Sequence, residues 1–176
     1  NTQAQFTPAI RTAAYKRLDD NTADLYFSDL PEDRLLDPSD RLNDVTDSII
    51  HIHYFLTPSA GNTPIDPTAC NITIRHMLLV ASSADASPGD EAAPAPSTQR
   101  AFGIYGGGAF MFPSGTPGDA LFGGTVRSGT HRLLTSSPNF KDVLGVAEFE
   151  GKVLAPEDES LADAIGAKMR RLMKPA

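Results

Sequence analysis

Residues 48–57 crowd Ile49, Ile50, Ile52, Tyr54, Phe55 and Leu56 between an acidic stretch and Pro58. A run so rich in β-branched and aromatic side chains is a strand. Residues 71–81 form a second run, with Ile72, Ile74, Met77, Leu78, Leu79 and Val80. Between the two lie Pro58, Gly61, Asn62, Pro64 and Pro67, which fit a long hairpin better than a crossover helix. Side chains alternate along a strand, so the even positions Ile50, Ile52, Tyr54, Leu56, Ile72, Ile74, Leu78 and Val80 mark one core face. That parity puts His76 on the core face and His51 and His53 on the opposite one.

Three more strands are expected at 100–113, 121–134 and 143–154. Residues 82–99 are rich in Ala, Ser, Pro and Asp without periodicity, a long flexible loop. In 100–113 the even positions Phe102, Ile104, Phe110 and Phe112 are bulky, while Ala101, Gly103, Gly107 and Ala109 are small. Glycines within a strand mark a bend or the close approach of another backbone, so strong curvature follows. Gly123 and Gly124 would neighbour that cluster across a hairpin at 115–118, leaving a seat for the C-terminal helix or a ligand groove. In 143–154, Val143, Gly145, Ala147, Phe149, Gly151 and Val153 alternate with a polar set containing Glu148, Glu150 and Lys152, which predicts one dry face and one wet face.

Earlier in the chain, residues 10–18 fit a strand or a short helix, and residues 23–28 fit a strand, expected at a sheet edge. Residues 29–47 are an irregular acidic connection with a helical turn or two; their Asp residues lack the order of a calcium loop. A helix is predicted over 157–173, opened by Pro156 and acidic residues and carrying the stripe Leu161, Ile165, Met169, Leu172 and Met173. The expected fold is therefore mainly β. It is one domain over 1–176, an antiparallel curved sheet of about five to seven strands, barrel or sandwich, with one C-terminal amphipathic helix.

A net charge of −7 opposes nucleic-acid binding, which needs clustered cations. The dense basic cluster Lys168, Arg170, Arg171 and Lys174 falls in the last turns of the predicted helix, where cations complement the dipole. Cys70 is the single cysteine, so no intramolecular disulfide forms. No apolar run approaches the ~20 residues of a membrane-spanning helix. The polar lead and a Lys-poor, Ala-, Pro- and Thr-rich composition suggest an exported bacterial protein, periplasmic or secreted.

Four histidines are the first candidates for chemistry, since neutral imidazole ligates metals and binds polar ligands. His51 and His53 with a third His on the next strand, His76, resemble the zinc triad of α-type carbonic anhydrases; the resemblance implies a zinc ion held by three imidazoles. It covers those three residues alone, and the face assignment separates His76 from the pair. A divalent metal at His51 and His53 stays as one expectation. The glycines at 103–108 lack the following helix of a phosphate loop, and Ser128 to His131 lack the elbow of a serine nucleophile. Glu148 and Glu150 share the polar face of their strand. Asn71-Ile72-Thr73 matches the glycosylation pattern.

No cofactor is implied. The expected function is an exported, non-enzymatic binding or structural module, part of a bacterial cell-envelope assembly, whose partner is another protein or a small apolar ligand. The rival is a small β-barrel ligand carrier or enzyme with a pocket lined by Phe102, Tyr105, Phe110, Phe112 and Phe122, and with polar handles from His76, Arg75 or His131. A cavity holding His76 and a second ionisable side chain would favour the rival.

Overall fold

The computed structural model describes residues 5–38, 46–55, 70–82 and 99–174. Seven strands, β1 (Thr12–Arg17), β2 (Ala23–Ser28), β3 (Asp47–Tyr54), β4 (Ile72–Ser82), β5 (Gln99–Ser114), β6 (Leu121–Ser136) and β7 (Ala147–Pro156), form one antiparallel sheet in sequence order. A short helix, α1 (Glu32–Leu36), sits in the acidic connection, and α2 (Glu159–Leu172) closes the chain. The loop expected at 82–99 lies outside the described residues apart from its ends, as do 39–45 and the Pro-rich 58–67.

Two sequence-based expectations need correction here. The strand at 23–28 is internal rather than at an edge: it pairs with β1 from Thr12↔Ser28 to Arg17↔Ala23 and with β3 from Ala23↔Tyr54 to Ser28↔Ile49. Residues 10–18, ambiguous in pattern, supply the covering strand. The last strand begins at Ala147, not at 143, because Gly145 turns the chain at φ +61° and the Tyr105 hydroxyl accepts the amides of Val143 and Leu144.

Curvature comes from backbone crowding at glycines. A Cβ on Gly107 would fall onto the Thr130 carbonyl oxygen, one on Gly123 onto that of Val153, and one on Gly124 onto that of Phe112. These glycines therefore serve strand-to-strand approach, not a helix seat. Register shifts in β5–β6 and β6–β7 add bends, and Gly115 and Gly118 adopt positive φ in the hairpin between β5 and β6. The sheet curls until Tyr15 of β1 bridges Glu157 in parallel and accepts the amide of Asp158 at 3.0 Å.

The curl creates two apolar layers. Inside lie Leu25, Ile50, Ile52, Tyr54, Ile72, Ile74, Met111, Phe122 and Val126. Outside, Leu161, Ile165, Met169 and Leu172 of α2, which lies against β1, β2 and α1, form one layer with Leu35, Ala14, Tyr26, Ile49, Met77, Leu79 and Ile104. Each fully buried large aliphatic side chain contributes about 1.5–3 kcal/mol. Asp158 caps α2 by accepting the Leu161 amide at 3.0 Å. Where both faces are covered, β3 and β4 are apolar at consecutive positions, as at Ile49 and Ile50 and from Met77 to Leu79. The glycosylation pattern at Asn71 is structural: the residue is buried, and its amide group bonds both the N–H and the C=O of Met111.

Candidate ligand-binding site

β4 and β5 align His76 opposite Tyr105, and both side chains face the inside of the curl. β6 carries two register shifts against β5, between Ile104 and Tyr105 and between Gly106 and Phe110. They carry the buried His131 to the same interior, with ring centroids 6.3 Å from His76 and 5.8 Å from Tyr105, the latter edge-to-face at 88°. Phe149 of β7 meets His131 edge-to-face at 6.2 Å. Phe6, from the segment before β1, stacks on His76 at 5.9 Å with 22° between the rings.

The two imidazoles are buried, His76 being 3% exposed and His131 5%. Burial first, and the neighbouring His131 second, push the His76 pKa down to about 4. Burial likewise holds His131 below its ordinary value. Both are therefore neutral near pH 7. His76 Nε2 shares a 2.9 Å hydrogen bond with Ser48 Oγ. His131 differs: among the described residues neither of its buried ring nitrogens has a hydrogen-bond partner. Leaving a buried polar group unpaired costs about 1–3 kcal/mol, so His131 presents an unmet donor and an unmet acceptor.

Tyr105 closes one wall. Its hydroxyl donates to Asp142 Oδ1 at 2.7 Å and accepts from the amides of Val143 and Leu144 at 3.2 and 3.3 Å. Burial raises the Tyr105 pKa, and the hydrogen bond to Asp142 raises it further. The same bond, with the Gly145 amide, lowers that of Asp142. Phe140 packs on Tyr105 at 6.3 Å and lies over Gly103, which has no side chain to obstruct it.

The aromatic lining expected from sequence is only partly assembled. Phe110 and Phe112 lie on the outer face, paired edge-to-face at 5.0 Å, with Arg127 5.5 Å over Phe112, which is 44% exposed. The parity that turns Tyr105 inward turns the bulky even positions outward. Phe102 and Ile104 join the outer apolar layer. Phe122 faces inward but packs on Tyr15 and Tyr54 instead, at 5.6 and 5.2 Å. Arg75 is exposed, paired with His51 in register on the outer face.

His51 and His53 are also on the outer face, away from His76. Asp24 Oδ1 bridges them, 2.9 Å from His51 Nε2 and 2.8 Å from His53 Nδ1. Burial alone would raise the Asp24 pKa, but the two imidazole hydrogen bonds outweigh it and leave the carboxyl below its usual range. Tyr26 stacks on His51 at 4.6 Å. Among the described residues no group of three or more His, Cys, Asp or Glu is arranged to hold a metal ion.

Sequence reasoning missed Ser48, Phe149, Asp24 and Phe6. Alternation along 143–154 had set Phe149 on the dry face without tying it to the histidines, and alternation along 48–57 could have placed Ser48 on the inner face, whereas nothing in the sequence marked Phe6. Comparison with protein families, curated proteins and solved structures finds no match for this chain.

Proposed function

We propose that the protein is a non-enzymatic binding module whose small apolar ligand sits inside the curled sheet, against His76, Tyr105 and His131. The observation that carries this reading is His131, buried among aromatic rings with both nitrogens unpaired. A ligand with a hydrogen-bonding group would satisfy them. The enzyme alternative has a Ser48–His76 pair at hydrogen-bond distance. A base with a pKa near 4 accepts protons poorly at neutral pH, and Ser48 is fully buried, which favours binding over turnover.

The test is a fragment screen followed by ¹H–¹³C spectra of the histidine rings. Saturable shifts at His76 and His131, with those of His51 and His53 unmoved, are expected; a screen that moves neither buried ring refutes the site. The composition supports a place in or outside the cell envelope, which fractionation of the producing cell checks. Among the described residues no helix is long and apolar enough to cross a membrane.

A further inference from the structure

We propose that the ligand is an uncharged, planar aromatic molecule with one hydrogen-bonding group on its rim, occupying the seat over His76 that the Phe6 ring fills and pairing with His131. This inference rests on the binding reading above and names the ligand class of the same site.

Phe6 shows what that seat accepts. It lies in residues 5–11, outside any helix or strand, and stays 44% exposed although its ring stacks on the buried His76. A half-exposed ring five residues ahead of the segment's backbone bond to the sheet, from the Arg11 amide to Ser28 at 2.8 Å, is a covering that a better-fitting ring can displace. The remaining walls are also rings: Tyr105 and Phe149 stand nearly perpendicular to His131, at 88° and 76°. Edge-to-face and offset-stacked contacts at such spacing favour a flat aromatic guest over an aliphatic one of equal size.

Charge narrows the class further. Lys168 is the only buried cation among the described residues, and it lies on α2 in the outer layer. A buried anion would therefore lose its hydration without a partner. Asp142, the carboxylate tied to this wall, accepts from Tyr105 and from the Gly145 amide through Oδ1 and is itself exposed, so it offers a cation a water-screened partner at the surface and none inside the site. What remains unmet is the neutral donor and acceptor pair on His131. A rim N–H or O–H answers it.

Indole is a suitable probe because the chain has no Trp, so with excitation to the red of its four tyrosines the change in indole emission on titration with the protein reports binding. Its isostere indene lacks the N–H, cyclohexanol lacks the aromatic ring, and benzoate carries a charge. Indole is expected to bind saturably, with indene about threefold to tenfold weaker, the range one hydrogen bond gives. Cyclohexanol and benzoate should be weaker again. His131→Phe, which keeps the ring packing, should erase the difference between indole and indene, and Phe6→Ala should tighten both. Independently of any variant, the His131 ring ¹⁵N signals should shift with indole and not with indene.

Cyclohexanol binding as tightly as indole would overturn the aromatic class while leaving the binding module standing. Equal binding of indole and indene to the native protein would remove the role of His131. No binding by any of the four probes would remove both the class and the site.

Discussion

Acidification from neutral pH to about pH 4 sets two buried groups against each other. His76 has its pKa pushed from 6.5 down to about 4, so the unfolded chain binds its proton first. Its contribution to stability is complete above pH 6.5 and is lost as pH falls toward 4. At 1.36 kcal/mol per pH unit the loss is about 3 kcal/mol. Asp47 behaves oppositely. Burial, and then the nearby Asp29 charge, raise its pKa from 3.8 to about 6 against a weaker pull from Arg34. Its ionised form therefore destabilises the fold above pH 6, and acidification relieves about 2–3 kcal/mol of that penalty.

In the native protein the two effects nearly cancel, and variants separate them. Asp47→Asn removes the compensating gain, so between pH 7 and 4 it should lose about 2–3 kcal/mol more than the native chain. His76→Gln, which keeps a side chain able to bond Ser48, should lose about 3 kcal/mol less. His131 titrates in both the native chain and Asp47→Asn and drops out of that comparison. Urea unfolding at four pH values and constant ionic strength measures the curves. If Asp47→Asn and the native chain give parallel curves, the burial argument for Asp47 is wrong; a parallel His76→Gln curve would dispose of the one for His76.

Three further outcomes follow from packing and hydrogen bonding. Phe122→Ala should cost about 3–5 kcal/mol, because the fully buried ring would leave a cavity between Tyr15 and Tyr54; calorimetry giving under about 1 kcal/mol would contradict its place in the core. Tyr105→Phe should leave global stability within about 1–2 kcal/mol of native yet speed amide exchange at Val143 and Leu144, which lose their acceptor; unchanged exchange there would argue against the anchor. Asp158→Ala should cost about 1 kcal/mol through loss of the α2 cap, read as a lower denaturant midpoint.

The sequence named His76, Tyr105 and His131 as residues of one pocket, but a pattern stood behind the facing of His76 alone. Neighbours of His76 at spacing two are apolar, so its inward face could be assigned from sequence. His131 could not be tied to it, because their meeting depends on two register shifts between β5 and β6 that no composition announces. Nor could Phe6, which stacks on His76 from a segment with neither period.

By itself the sequence determined which residues form strands and helix. β-branched and aromatic runs favour the pleated backbone, and the stripe at Leu161, Ile165, Met169 and Leu172 has the helical period, as β3, β4 and α2 show. Alternation also fixed which side chains of one strand share a face. It could not say which face the curl would enclose, and on β5 that choice sent Tyr105 inside and Phe110 and Phe112 out. Tertiary structure also made β2 internal and placed α2 against β1, β2 and α1 rather than on the sheet glycines. The physical reason is that faces within a strand are set by local geometry, whereas curvature, register and layer contacts are set by residues far apart in the chain. His131, a candidate ligand contact from sequence, was set beside His76 and Tyr105 with both ring nitrogens unpaired only through that long-range arrangement.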